Sequence, residues 1–433
     1  MLQTLRNAWK IEELRKKILF TLVIILLYRL GNAVPVPYVN VAALKSYFTQ
    51  LQNTVLGLYN VMSGGAFSTA TIFALSIQPY INASIIIQLL CIAIPALERL
   101  SKEEGEEGRK KIASITRYAT VGIGLLMGFA YYMLMKNNGL LSDSVPTGGF
   151  GAVAVAIVVI LTFTSGSALI MWLGEQITEH GIGNGISMIL FASIVSRFPN
   201  DIVMSIRNIV SGELSWWLAL LVLLMLLAII VLIVYVNDAE RRLPVQYAKR
   251  VVGRKMYGGQ STFLPMKVNM SGVMPIIFAQ SIASLPATVA ALVGSKGDGW
   301  FMKLFDTTSI PYAIIYFLLI LFFAYFYSTI QFNPVEVANN LKKNGGYIPG
   351  FRPGKPTSEF IQRVLNKITL FGAIYLGIIA CVPILVGHFS NASALTGISL
   401  GGTSIIIAVG VALETVRALE AQMMMRNYKG FLS

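Results

Sequence analysis

Ile77-Gln78-Pro79-Tyr80-Ile81-Asn82-Ala83-Ser84 has a counterpart later in the chain, Val273-Met274-Pro275-Ile276-Ile277-Phe278-Ala279-Gln280-Ser281. Each is an apolar segment interrupted by proline, with small or polar residues at its end. We count the first as part of the second membrane span and the other as part of the seventh, so their span numbers differ by five. Because five is odd, the two copies cross the bilayer in opposite directions. Matched, interrupted segments in two inverted halves indicate a central translocation path.

The composition around these segments is that of a membrane protein. Hydrophobic residues make up 55% of the chain and charged residues 12%, and the mean hydropathy is +0.68; a soluble domain carries about 25% charged residues. Both cysteines, Cys91 and Cys381, lie in apolar runs, so no disulfide framework, metal site or cofactor is predicted. Apolar runs of roughly 20 residues, the length that crosses a bilayer core, predict ten spans: 18–36, 72–96, 113–135, 151–173, 184–203, 215–236, 269–293, 310–331, 367–387 and 402–421.

The positive charge is distributed unequally between the two sides of these spans. Of the 34 Lys and Arg residues, 27 fall on the side of the N-terminus, six fall on the opposite side and Arg29 lies in the first span. The positive-inside rule therefore predicts that both termini are cytoplasmic. No small-residue cleavage site follows the first apolar run, so we expect it to remain as a span.

Two long basic connections, 237–268 and 332–366, lie on the predicted cytoplasmic side. Such loops usually fix topology and meet anionic lipid. That explanation accounts less well for Gly350-Phe351-Arg352-Pro353-Gly354, whose prolines and glycines predict a rigid turn. A rigid turn could present Arg352 to a partner that carries acidic groups or phosphates. The residues alone leave both interpretations open.

The predicted spans carry almost no ionisable side chains between their ends, which excludes several classes of membrane protein. An ion-coupled transporter normally needs such a group near the midplane. A pump needs a nucleotide site, and the sequence contains no P-loop pattern. The two histidines, His180 and His388, are far apart, so no catalytic set is predicted and the chain is not expected to be an enzyme. A small-solute transporter would share the inverted halves, and a structural scaffold would share the basic loops.

Three glycine-rich stretches allow more than one local structure. Residues 60–67 precede the second span on the outer side, as an ordinary loop or as a re-entrant piece buried in the protein. The stretch 181–185 is either a hinge or a short turn on the inner side. The stretch 401–404 is interpreted as a turn followed by a helix N-cap.

Several specific stretches occur in one order along the chain: Ser63-Gly64-Gly65-Ala66, Pro79-Tyr80-Ile81, Trp172-Leu173-Gly174-Glu175-Gln176-Ile177-Thr178, Gly181-Ile182-Gly183-Asn184-Gly185-Ile186-Ser187, Asn333-Pro334, Arg352-Pro353-Gly354 and Gly401-Gly402-Thr403-Ser404. With them the chain resembles the SecY family, the large subunits of protein-conducting channels, from about Trp9 to its end. The resemblance is closer to bacterial members than to archaeal or eukaryotic ones.

This resemblance implies an all-α polytopic membrane protein of ten transmembrane helices around a central hourglass pore. Two inverted five-helix halves, 1–203 and 215–433, would be joined by a hinge loop at 204–214. The family passes unfolded secretory polypeptides across the bacterial plasma membrane and releases transmembrane segments sideways into lipid. The partners it implies are the small subunits SecE and SecG, the SecA motor ATPase or the ribosome, signal sequences, unfolded preproteins and the lipid bilayer.

The resemblance also assigns the pore and its gates. A plug at about 57–70 would close the outer funnel, with Ser63, Gly64, Gly65, Ala66 and Phe67 at its centre. Spans two and seven, with three and eight beside them, would form the lateral gate, with Gln88 and Asn184 in its polar cluster. Aliphatic side chains from spans two, five, seven and ten would close the waist as a ring: Ile77, Ile81, Ile186, Leu190, Ile277 and Ile407.

Partner docking is expected at the basic loops, with Arg352 the strongest candidate. The other residues that the resemblance places at this docking face are Arg241, Arg242, Lys249, Arg250, Arg254 and Lys255.

Overall fold

The computed structural model describes residues 2–50, 55–102, 105–142, 145–146, 149–212, 216–247, 250–252, 255–257, 261–292, 309–389 and 396–429. Within these ranges the chain forms sixteen α-helices and five short strands. The helices are α1 (Leu2–Lys10), α2 (Glu12–Gly31), α3 (Val41–Gln50), α4 (Val55–Met62), α5 (Gln78–Ala93), α6 (Pro95–Lys102), α7 (Gly105–Asn137), α8 (Gly149–His180), α9 (Gly185–Val195), α10 (Phe198–Val210), α11 (Trp216–Asp238), α12 (Met274–Leu292), α13 (Ile310–Gln331), α14 (Pro334–Lys343), α15 (Lys355–Phe389) and α16 (Thr396–Lys429).

Length and apolar composition mark five helical segments of the described chain as candidate membrane spans: Gly105–Asn137, Gly149–His180, Gly185–Val210, Ile310–Lys343 and Lys355–Val382. Shorter apolar helices occupy Gln78–Ala93, Leu223–Asp238 and Met274–Ser284. The predicted span at 310–331 coincides with α13, whereas α7 and α8 extend beyond their predicted limits. The helical membrane fold is thus confirmed, and the count of ten spans stays a prediction.

The two echoed stretches have the same local structure, but neither Pro79 nor Pro275 interrupts its helix. Pro79 and Pro275 are each the second residue of a helix, α5 and α12. Proline is well suited to the first helical turn, because its missing N–H would have no partner there. In both helices the residue two positions after proline closes the first full helical turn: Ile81 N–H donates to the Ile77 carbonyl at 3.1 Å, and Ile277 N–H to the Val273 carbonyl at 3.3 Å. The prolines therefore mark helix starts.

Between α4 and α5 the chain runs through a buried series of turns, residues 63–77. Ala70 and Ser76 adopt positive φ angles of 43° and 51° there. A Cβ on Gly166 of α8 would lie 2.0 Å from the Ile72 carbonyl oxygen, so this segment lies directly against α8. Because α5 has 16 residues, about 24 Å of helix, it is shorter than a roughly 30 Å hydrocarbon core. The turns form part of the buried protein interior beside it, which favours the re-entrant interpretation over an ordinary outer loop.

The two basic connections contain regular structure that the all-helical prediction did not include. Strands β1 (Glu240–Tyr247), β2 (Arg250–Val252), β3 (Lys255–Tyr257) and β4 (Ser261–Lys267) form hairpins, and β5 (Gly346–Tyr347) adds to the edge of β1. The larger sheet has the order β4-β1-β5, and β2 pairs with β3 separately. A small core fixes the larger sheet on α14 and α15, and its buried members are Leu243, Val245, Met266, Ala338, Ile348, Ile361 and Leu365.

Two further connections differ from the sequence predictions. The hinge loop predicted at 204–214 is largely helical, because α10 continues to Val210 before a turn at Ser211 and Gly212. The turn and N-cap predicted at 401–404 lie inside α16, which begins at Thr396. Both stretches carry turn-forming residues, but α16 continues through 401–404, and α10 ends only at Val210.

The inner-side turn at 181–185 connects α8 to α9 with very close packing. A Cβ on Gly185 would lie 1.9 Å from the Gly174 carbonyl oxygen, so only glycine fits without movement of backbone. Asn184 caps α9, with its Oδ1 accepting from the N–H groups of Ile186 and Ser187. The residues 181–185 thus form the short turn, one of the two structures that the sequence allowed.

Candidate functional site

Five of the six predicted ring residues belong to the largest buried hydrophobic cluster of the described chain, and the sixth packs against it. Ile77, Ile81, Leu190, Ile277 and Ile407 are all members, each at most 4% exposed. Ile186 is half-buried and packs against the same cluster. These residues come from the start of α5, from α9, from the first turn of α12 and from α16, so four separate elements deliver aliphatic side chains to one place.

The short helix α4 lies among the elements that carry those aliphatic side chains. It contacts α9, α12 and α16, and its last residue, Met62, is 4% exposed and belongs to the same cluster. After Met62 the chain turns sharply at Gly64 and Gly65, whose φ angles are 67° and 89°. Asn60 stabilises this turn, because its carbonyl accepts from Gly65 N–H at 2.8 Å and its Oδ1 from Ser68 N–H at 2.9 Å.

Gly64 also packs closely against α9. A Cβ at this position would lie 2.9 Å from the Ser193 carbonyl oxygen and 3.2 Å from an Arg29 guanidinium nitrogen. Ser63 is 1% exposed, and its hydroxyl accepts from Phe67 N–H at 3.0 Å. The predicted plug residues therefore form a compact, internally hydrogen-bonded turn that is packed into the protein.

Phe67 anchors the other side of this turn in an aromatic cluster. Its ring stacks on Tyr131 of α7 with centroids 4.3 Å apart and meets Phe48 edge-on at 5.2 Å. The Tyr131 hydroxyl also donates to the Phe67 carbonyl oxygen. Ala66, beside it, is 2% exposed. The segment is thus held to α3 and α7 on one side and to α9 on the other.

Two buried glutamines approach the end of α4 from different helices. Gln78 Nε2 donates to the Met62 sulfur at 3.1 Å from α5, and Gln280 Nε2 donates to the same sulfur at 3.6 Å from α12. From the sequence, Gln280 was interpreted as an interhelical hydrogen-bonding residue and Met62 fell within the predicted plug, but the contact between them was not predicted. A signal was present, because each of the two echoed stretches contains one glutamine.

The helices predicted to form the lateral gate, α5 and α12, are in contact. Gln88 and Asn184, however, make hydrogen bonds elsewhere. Gln88 Nε2 donates to Ser84 Oγ on its own helix at 3.3 Å, and Asn184 caps α9 as described above. The physical reason is the N-cap, which commits the Asn184 oxygen to local backbone donors. Their membership of one polar gate cluster therefore stays a prediction.

The predicted docking residues are spread over the sheet and the turn that follows it. Arg241 and Arg242 are exposed on β1, and the Arg242 Nε lies 2.7 Å from Glu240 Oε1. Arg250 and Lys255 belong to β2 and β3, whereas positions 249 and 254, the predicted Lys249 and Arg254, lie outside the described residues.

Arg352 is exposed in the turn between β5 and α15. The turn has a defined structure, because Thr357 Oγ1 donates to the Arg352 carbonyl oxygen at 2.8 Å and both Gly350 and Gly354 have positive φ angles, 88° and 107°. Arg352 is thus exposed on a hydrogen-bonded turn, and its role in docking stays a prediction.

A charged cluster joins the base of the sheet to α16. The Arg417 guanidinium donates to the Asn237 carbonyl oxygen and to Asp238 Oδ1, both at the end of α11 and both at 2.5 Å. Burial, followed by the positive charge of Arg417, lowers the pKa of the nearby Lys267 amine. Asn269 Nδ2 donates to Asn237 Oδ1 at 2.8 Å. The basic sheet is thus connected to two helices that lead back to the aliphatic cluster.

Comparison with known proteins decides the family. The SecY family model matches residues 71–416. A protein of Streptomyces scabiei named protein translocase subunit SecY is 45% identical over 442 residues and covers 100% of both chains. The chain belongs to the SecY family.

Solved structures confirm the SecY fold at much lower identity. A structure described for the plug domain of the SecY protein matches with a TM-score of 0.65 and 16% identity, over 94% of this chain and 92% of the other. Sec61 in a canine ribosome–channel complex matches with a TM-score of 0.59 and 15% identity, over the same shares.

Proposed function

We propose that this SecY-family chain is the channel subunit of a protein translocase, through which unfolded secretory polypeptides cross the plasma membrane. One observation carries the proposal: aliphatic side chains from α5, α9, α12 and α16 converge in one buried cluster, and α4 contacts three of these four helices. The close relative is named as a protein translocase subunit. The aliphatic cluster and the short helix α4 beside it together have the apolar composition that a sealed pore requires.

The seal consists of Ile77, Ile81, Ile186, Leu190, Ile277 and Ile407. A narrow aliphatic constriction excludes water and therefore ions. Its side chains form no hydrogen bonds, so they do not hold a passing backbone. Such a ring opens for any sequence and closes again once the chain has passed.

The segment from α4 to Phe67 is the plug. In the solved SecY structure that matches this chain, the plug domain is described as stabilising the closed state of the translocation channel and maintaining a membrane seal. Here the corresponding segment is buried on both sides, against α9 and against the Tyr131 cluster. Its removal would open the space beside the ring.

Apolar segments leave sideways between α5 and α12. On an insertion scale, Leu-like residues contribute roughly −0.3 to −0.6 kcal/mol each at the centre of a span, so a run of ten gains several kcal/mol in lipid. One charge costs about 3 kcal/mol and cancels much of this gain. A gate that exposes the segment to lipid therefore separates membrane segments from secreted ones.

The force comes from partners on the cytoplasmic side. The exposed arginines of β1 and the Arg352 turn form a basic face suited to acidic or phosphate-bearing surfaces. The ribosome is one such partner, and Sec61 in the canine complex is a structural neighbour bound to it; the SecA ATPase is the other. SecE and SecG complete the membrane complex, both termini lie in the cytoplasm, and the chain itself hydrolyses nothing.

The decisive experiment places a cysteine at Ile81 and asks whether it crosslinks to a secretory chain stalled in transit. Cys91 and Cys381 are first replaced by alanine, and Leu126→Cys, on an exposed position of α7, is the control. We expect crosslinking at position 81 alone. If position 81 gives no crosslink while the protein takes up a small solute specifically, the chain is a transporter and the proposal is wrong.

A further inference from the structure

The Met62 sulfur lies at a junction of three elements. It ends α4, accepts from Gln78 of α5 at 3.1 Å and accepts from Gln280 of α12 at 3.6 Å. The two donors belong to different halves of the chain and to the two echoed stretches. A single sulfur atom therefore connects the plug to both helices between which apolar segments leave.

All three side chains are buried: Gln78 and Gln280 are each 3% exposed, and Met62 is 4% exposed. A buried amide without a partner is costly, and Gln280 Oε1 already lacks a hydrogen-bond partner within the described structure. The thioether is a weak acceptor. The contact thus stabilises the arrangement of α4, α5 and α12 described above, yet it is weak compared with an ordinary hydrogen bond.

We propose that Met62, Gln78 and Gln280 form a latch that couples the position of the plug to closure of the lateral gate. The proposal rests on the proposed function, since it assigns parts to its plug and its gate. If α5 and α12 separate, one amide must leave the sulfur; if the plug moves out, both amides lose it. Each event therefore favours the other, and thermodynamic linkage makes this coupling equal in both directions.

Removal of the sulfur tests the latch. Met62→Leu preserves the volume of the side chain and deletes the acceptor. In purified channels reconstituted in vesicles, we expect the idle ion conductance and the export of a preprotein with a weakened signal sequence both to rise about threefold, the typical weight of one polar contact between membrane helices. Met171→Leu, at a buried methionine of α8 that belongs neither to the latch nor to the cluster around Phe67, is the matched control and should change neither.

A double-mutant cycle separates a latch from three independent packing positions. Gln280→Leu should raise conductance in the parent protein and add little once Met62 is already leucine, because residues that share one interaction are not additive. Fully additive effects, or no effect of either substitution, would overturn the latch. If Met62→Leu does not accumulate, norleucine at position 62 removes only the sulfur and answers the same question.

The Ile81 crosslink distinguishes failure of the latch from failure of the proposed function. In every latch variant the stalled secretory chain should still crosslink at position 81. Crosslinking with unchanged conductance rejects the latch alone. If the Ile81→Cys protein without any latch substitution gives no crosslink and takes up a small solute instead, the channel itself is rejected.

Discussion

Pro79 and Pro275 fix where two helices begin, and this determines which side chains reach the centre of the molecule. Each proline occupies the first turn, so the residue two positions later closes the first full hydrogen-bonded turn on the N-cap carbonyl. Ile81 and Ile277 are thereby held at equivalent places on helices that we expect to run in opposite directions. The equivalence explains how one motif, used twice, supplies two opposed side chains to one cluster.

Gly166 offers a test at the scale of a single residue, because a side chain at this position would collide with the backbone of the turns at 63–77. A Cβ there would be 2.0 Å from the Ile72 carbonyl oxygen. We expect Gly166→Ala to destabilise the protein by roughly 1–3 kcal/mol through overpacking, more than the roughly 1 kcal/mol that alanine gains over glycine in a helix.

Thermal unfolding in detergent measures this difference. Gly122→Ala, on α7 with no atom within 4 Å of its Cβ position, should keep or slightly increase stability. Equal behaviour of the two variants would mean that the turn at 63–77 does not pack on α8.

The sequence predicted the aliphatic residues of the central cluster but not the sulfur latch, and the reason is physical. Ile81 and Ile277 were assigned through the family resemblance, which local motifs around the two prolines carry. The contact of Gln280 with Met62 joins residues 218 positions apart, and nothing in either local pattern encodes it. Asn184 is the opposite case. Its capping of α9 is a local interaction, and the prediction that it belongs to a gate cluster did not take this interaction into account.

At the scale of elements, the sheet of β1, β4 and β5 was not predicted from the sequence. The many charged residues of β1 made its alternation of buried and exposed positions hard to recognise. In β1, Leu243 and Val245 are buried in the small core and Tyr247 packs against it, while Arg241 and Arg242 are exposed. Such alternation over a few residues is typical of a half-buried strand. The basic residues are thus carried on a fixed sheet rather than on a flexible loop.

The turn that carries Arg352 is the element on which docking depends most directly. Arg352→Glu should reduce export strongly, about tenfold or more if a charge-assisted contact of 1.5–3 kcal/mol is replaced by repulsion. Folding should stay intact, since the side chain is exposed and the Thr357 hydrogen bond uses only its carbonyl oxygen.

Export of a preprotein by inverted vesicles, at matched amounts of assembled channel, measures the effect. Arg207→Glu, the same reversal at an exposed position of α10 on the opposite side, is the control. Unchanged export in Arg352→Glu would reduce Arg352 to a topology charge.

At the scale of the whole molecule, the basic face and the central cluster are parts of one connected structure. Asp238 ends α11, and the strand β1 begins two residues later at Glu240. Arg417 of α16 binds that junction, and α16 also carries Ile407 of the cluster. In the proposed channel, a partner that moves the sheet would therefore also act on a helix that carries a residue of the aliphatic cluster.

The proposed channel places the sheet and the plug on opposite sides of the membrane, and labelling can test this. With Cys91 and Cys381 replaced, Lys343→Cys in α14 should react with a membrane-impermeant thiol reagent only in inverted vesicles. Lys136→Cys, near the end of α7, should react only in right-side-out vesicles. Both positions are exposed, so burial does not explain a difference between them. The excess of positive charge on one side predicts this orientation, and labelling of both cysteines from the same side would contradict it.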